Sequence, residues 1–175
     1  MIALLLLSLA ARDEAADLIV KLRAASDVNQ RYQLSNELSS VVKPSHVPLL
    51  SKEADAGPTP VRVILIHSLA RIGTKDAVAA LKALSQKYDL VSRAEAAGQL
   101  RWLDDETGLP LLLALLPKAQ TPEEKRTVLN GLFGGFNAEG GADIVRAVAK
   151  FLEQEKAEEL NTLLIGWMTK RFRSA

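Results

Sequence analysis

The chain contains no cysteine, which excludes disulfides, thiolate metal sites and cysteine nucleophiles. Its redox compartment stays open, because a cysteine-free chain persists in either. There is no surplus of one charge: 22 basic against 21 acidic residues give a net charge of +1, so no global field draws nucleic acid or anionic lipid. Long hydrophobic runs are missing as well. The greasiest stretch, "MIALLLLSLAA" at residues 1–11, is too short to span a bilayer, and no transmembrane segment is expected. Histidine occurs only at His46 and His67, outside any His-Glu pair or His-x3-His spacing that would set two ligands on one helix face. Neither a zinc or iron site nor any other cofactor is expected.

What is present is ordinary for a globular protein: 175 residues, 48% apolar and 25% charged, enough for one domain with a sizeable core. Residues 1–11 admit two readings. They resemble the apolar region of a secretory signal, with small residues Ser8 and Ala10 for cleavage, although no Lys or Arg precedes the run. Alternatively they are a packed partial first helix. The first reading makes the protein exported or periplasmic, the second cytoplasmic.

The dominant feature is a repeat. Arg31, Arg62, Arg93 and Arg126 stand in one column at steps of 31, 31 and 33 residues. Seven positions further come Leu38, Leu69, Leu100 and Phe133; ten further Val41, Ile72, Leu103 and Phe136; nineteen further Leu50, Leu81, Leu112 and Val145. These columns are all apolar. Four positions before each Arg stand Asp27, Pro58, Asp89 and Pro122, suited to a helix start as N-cap or first-turn proline. The column eleven beyond, Val42, Gly73, Asp104 and Asn137, holds mostly turn formers.

Each unit therefore reads as a helical hairpin. Helix A covers about 27–41, 58–72, 89–103 and 122–134, and helix B about 44–55, 75–87, 106–116 and 140–153. Residues 12–24 form a half repeat matching a helix B. Residues 156–175 form a C-terminal capping helix with a basic tail, and the whole repeat region spans 12–155, in units 27–55, 58–87, 89–117 and 122–153. Neither helix can bury its apolar stripe alone; stacked neighbours bury it jointly, which predicts an all-α, right-handed solenoid of stacked antiparallel hairpins.

The text "PTPVRVILIHSLARIGTKDAVAALKAL" resembles the HEAT-repeat family, particularly its short bacterial form, over roughly residues 27–153. The resemblance implies that the column arginine packs between successive hairpins, bonded to carbonyls or an acid, a task suited to an apolar stem with a planar fork. It also implies that B helices line the concave side. Metal hydroxylases of the family use His-Glu pairs, which this chain lacks.

The remaining chemical candidates have structural explanations. Asp104–Glu106 sits at a turn and first turn, where acids cap free N–H groups. Trp102 and Trp167 invite comparison with HEAT-like DNA glycosylases, but acids crowd Trp102 and no basic face accompanies it. The glycine-rich 131–141 lacks the Lys-Ser/Thr of a phosphate loop. "KRFR" at 170–173 is what a helix C-terminus attracts.

The expectation is a non-enzymatic scaffold that binds a protein partner on its concave helix B face, as a monomer or as part of a longer array. Lys82, Gln86, Leu113, Arg146 and Lys150 are the candidate contacts, from the columns one and five places past the buried helix B positions. The alternative is a HEAT-like enzyme acting on nucleic acid or on a tetrapyrrole, as bilin lyases do. That alternative rests on fold analogy alone.

Overall fold

A computed structural model of the protein describes residues 13–134 and 141–154. The regular elements are α1 (Glu14–Ala24), α2 (Val28–Val41), α3 (Val47–Ala56), α4 (Thr59–Ile72), α5 (Lys75–Leu84), α6 (Leu90–Trp102), α7 (Gly108–Leu115), α8 (Pro122–Gly134) and α9 (Gly141–Gln154). Short 3₁₀ turns, Pro44–His46 and Leu116–Lys118, precede α3 and follow α7. Among the described residues there is no strand. The readings of residues 1–11 and 156–175 lie outside the described residues.

Local chemistry places the boundaries. Asp27 accepts from Gln30 N at 3.0 Å and Asp89 from Ser92 N at 2.9 Å, so each carboxylate satisfies a first-turn donor that the helix leaves unpaired. At α8 the cap is Thr121, in a reciprocal box: Thr121 Oγ1 accepts from Glu124 N at 3.2 Å, and Glu124 Oε2 accepts from Thr121 N at 2.9 Å. Gly73 ends α4 with φ +63°, the left-handed conformation that a Cβ penalises, and its N–H returns to Leu69 O.

Odd and even helices have different neighbours. Helix α6 packs on α4, α5, α7 and α8, its widest contact being with α8; α4 packs on α2, α3, α5 and α6. The helices A (α2, α4, α6, α8) thus touch in chain order. Leu38, Leu69, Leu100 and Leu132, all at most 1% exposed, form their common buried column, with Leu50, Leu81 and Leu112 behind them on helices B. Two core clusters meet at α6, which gives Ala96 and Leu100 to one and Ala94 and Ala97 to the other.

One correction concerns the fourth repeat. Helices A begin at Val28, Thr59, Leu90 and Pro122, so the steps are 31, 31 and 32, not 33. The buried positions there are Leu132 and Ile144, whereas Phe133 is only partly covered and Val145 is 65% exposed. Lys125 therefore occupies the arginine column; Arg126 lies beside it, exposed to solvent. Two helices B are also shorter than their pattern. Helix α5 stops at Leu84 before a turn through Tyr88 (φ +72°), and α7 begins only at Gly108, past the turn at Asp104 (φ +56°).

Candidate functional site

Arg62, 8% exposed, lies on α4 with its fork aimed at both neighbouring hairpins. Its Nε donates to Ala54 O at 3.0 Å and Nη2 to Gly57 O at 2.7 Å, at the end of α3. Its Nη1 donates to Asp89 Oδ2 at 2.9 Å and Ser92 Oγ at 3.2 Å, at the start of α6. The Tyr88 ring stacks on the guanidinium, 3.9 Å from its centroid, and the phenol donates to Asp55. Burial opposes the charge on Asp89, but hydrogen bonds from Ser92 and Thr59 outweigh it and hold the carboxyl below its usual range. The bond to Asp55 keeps the Tyr88 proton in place and raises its pKa.

The other column members are simpler. Arg31 Nε donates to Ala25 O at 3.0 Å and Nη2 to Ser26 O at 3.2 Å, and Arg93 Nε donates to Ser85 O at 3.2 Å. Lys125 lies over the Phe151 ring at 5.9 Å. Tyr88 and Phe151 each follow their cation by 26 positions, whereas Gly57 and Ala119 stand at that place after Arg31 and Arg93, so the stacking partner recurs in two of the four repeats. A further buried arginine escaped the sequence reading. Arg101, 9% exposed, donates to Leu132 O in the last turn of α8, where carbonyls lack helical partners.

The column latches hairpins; it does not face a ligand. The open feature is a groove of about 490 Å³ across the outer faces of α4, α6 and α8, touching Ser39 of α2. Its floor is made of small residues, Ala70, Ala94, Gly98 and Gly131. A Cβ on Gly98 would stand 3.2 Å from Gly131 Cα, so the two glycines let α6 and α8 meet backbone to backbone. The walls carry His67, Arg71, Glu95, Gln99, Trp102 and Asn130. His67 Nε2 meets Glu95 Oε2 at 3.0 Å, and Trp102 is 54% exposed.

The candidate contacts on helices B are scattered in character. Lys82 is matched by Asp105 at 2.8 Å, and that pairing with Thr107 bonds overcomes burial to lower the Asp105 pKa. Leu113, expected to be exposed, is half-buried against the second core cluster. Gln86, Arg146 and Lys150 are exposed. Arg146 and Lys150 came from the misplaced register; the column positions in α9 are Val145 and Ala149. Trp167 and the basic tail lie outside the described residues. Among the described residues no three His, Asp or Glu come together as a metal site, and no helix is long and apolar enough to cross a membrane.

Comparison with known proteins agrees with the geometry. Residues 47–132, from α3 through most of α8, match the family of HEAT repeats. No curated protein and no solved structure matches. Helix pairs in a period of 31 to 32 residues, an arginine latched between them and the family match together identify residues 47–132 of this chain as HEAT repeats.

Proposed function

We propose that the protein is a non-enzymatic scaffold that binds a protein partner, built as a right-handed solenoid of stacked antiparallel hairpins. HEAT repeats generally serve as protein-interaction scaffolds. The observation that carries the reading here is the groove on α4, α6 and α8: three successive repeats contribute to one concavity, with an exposed Trp102 on its wall. Exposed tryptophan and arginine in a recess are the usual anchors of a protein interface. The basic lining is limited to His67 and Arg71, which makes no track for a polyanion.

This moves the proposed contact surface from helices B to helices A. On helices B the two central candidates are already engaged, Lys82 by Asp105 and Leu113 by the core. Affinity capture from cells of the native source with the wild-type chain, Trp102→Ala and the double variant Arg146→Glu/Lys150→Glu tests the assignment. Loss of the captured protein with Trp102→Ala alone is the expected outcome. Retention by Trp102→Ala with loss in the double variant returns the site to helices B, and retention by both removes the two surfaces together.

A further inference from the structure

The two charged groups of the groove lining, Arg71 and Glu95, are not paired with each other. Glu95 is met by His67 at 3.0 Å, whereas Arg71, exposed in the last turn of α4, has no ion pair among the described residues. Arg71 and Trp102 occupy the same repeat position, nine residues after Arg62 and Arg93, on adjacent helices that touch. A cation and an indole are thus presented side by side at one end of the recess, with the floor of Ala70, Gly98 and Gly131 leading away from them. Arg71 is the charged group of the groove lining at that end, and electrostatic complementarity asks for an acid on it.

The backbone gives a second constraint. The N–H and C=O groups of α4, α6 and α8 are spent inside their helices, so a docked chain cannot add itself as a strand. Its amides are left to water and to side chains offering both donor and acceptor, and Gln99 and Asn130 of the lining can serve them. From these features we propose that the groove takes an extended acidic segment of the partner protein: an Asp or Glu on Arg71, a neighbouring aromatic or aliphatic side chain on Trp102, and the backbone across Gln99 and Asn130. The inference rests on the scaffold reading and specifies its partner.

The test is selection from a randomised linear peptide library on the full-length protein, followed by titration of the enriched peptides. The expected peptides carry an acid next to an aromatic or aliphatic residue. Arg71→Glu and Trp102→Ala should each weaken them by about tenfold or more, Arg71→Lys far less, and Lys150→Glu not at all, with helical circular dichroism unchanged throughout. Raising salt should weaken wild-type binding of the acidic peptide more than that of the same peptide with its acid replaced by the neutral amide. Peptides without an acid, or peptides lost with Lys150→Glu and indifferent to Arg71→Glu, overturn the inference and leave the scaffold reading standing. No enrichment on the folded protein counts against both. Self-association abolished by Arg71→Glu assigns the groove to a second copy and overturns the acidic segment.

Discussion

At the scale of single residues, Arg62 and Arg93 share a column but not a workload. Arg62 satisfies two carbonyls, a carboxylate and a hydroxyl while nearly buried; Arg93 has one bond to Ser85 O in a half-buried setting. Arg62→Ala should therefore cost about 3 kcal/mol, because it leaves buried acceptors without donors, and Arg93→Ala about 1 kcal/mol. Urea denaturation checks the difference, and equal losses would mean the column acts only through its aliphatic stems. Asp89 gives a pH dependence with a definite sign. Its folded pKa lies below the ordinary value of 3.8, so its contribution is present above that pH and fades as acidification passes through the folded pKa. Asp89→Asn, which keeps a capping oxygen but loses the charge facing Arg62, should cost about 1 to 2 kcal/mol near neutrality and should flatten the acid limb of stability against pH. An unchanged acid limb would relocate that dependence to other carboxylates. Sequence reasoning recognised Asp89 as a cap; its second role, receiving Arg62 from the preceding repeat, depends on how hairpins stack and leaves no local mark.

Among elements, the glycines separate packing from propensity. A Cβ on Gly108 would stand 2.4 Å from Arg101 N, one on Gly131 2.7 Å from Leu112 Cδ2, and one on Gly134 meets nothing within 4 Å. Gly108→Ala should thus be the most damaging, since backbone must move. Gly131→Ala should cost about 1 to 3 kcal/mol by prying α8 from the buried Leu112, and Gly134→Ala should be neutral or gain about 0.5 kcal/mol of helix propensity. Thermal melts of the three variants give the order directly; a stable Gly108→Ala would mean that α7 can ride outward on α6. The same elements show what could be read in advance. Period, caps and the alternation of helices were legible because each repeat restates them. The fourth register was not, because Leu132–Phe133 and Ile144–Val145 are adjacent apolar pairs and Lys125–Arg126 an adjacent basic pair, so hydrophobicity and charge fit either alignment. The groove was hidden for a related reason: its floor is small residues from three helices, each unremarkable until Gly98 faces Gly131.

For the molecule as a whole, the helices A touch in series, which makes stability a sum of neighbour terms. Helices α4 and α6 have packed repeats on both sides, whereas α2 turns outward a mostly polar face bearing Tyr32 at 69% exposure. Native-state hydrogen exchange should therefore be slowest in α4 and α6 and markedly faster in α1 and α2; uniform protection would show one indivisible unit instead. The junction around Arg62 also bears on how such a chain can lengthen. Residues 59–89 begin with Thr59 and Arg62, which reach forward, and end with Tyr88 and Asp89, which receive them. The segment holds both the hook and the eye of one fastening. A tandem copy of those 31 residues inserted after Asp89 would find its own eye at its far end and offer its hook to it, so a gene that stutters by one such unit adds a fastened helix pair and breaks no fastening.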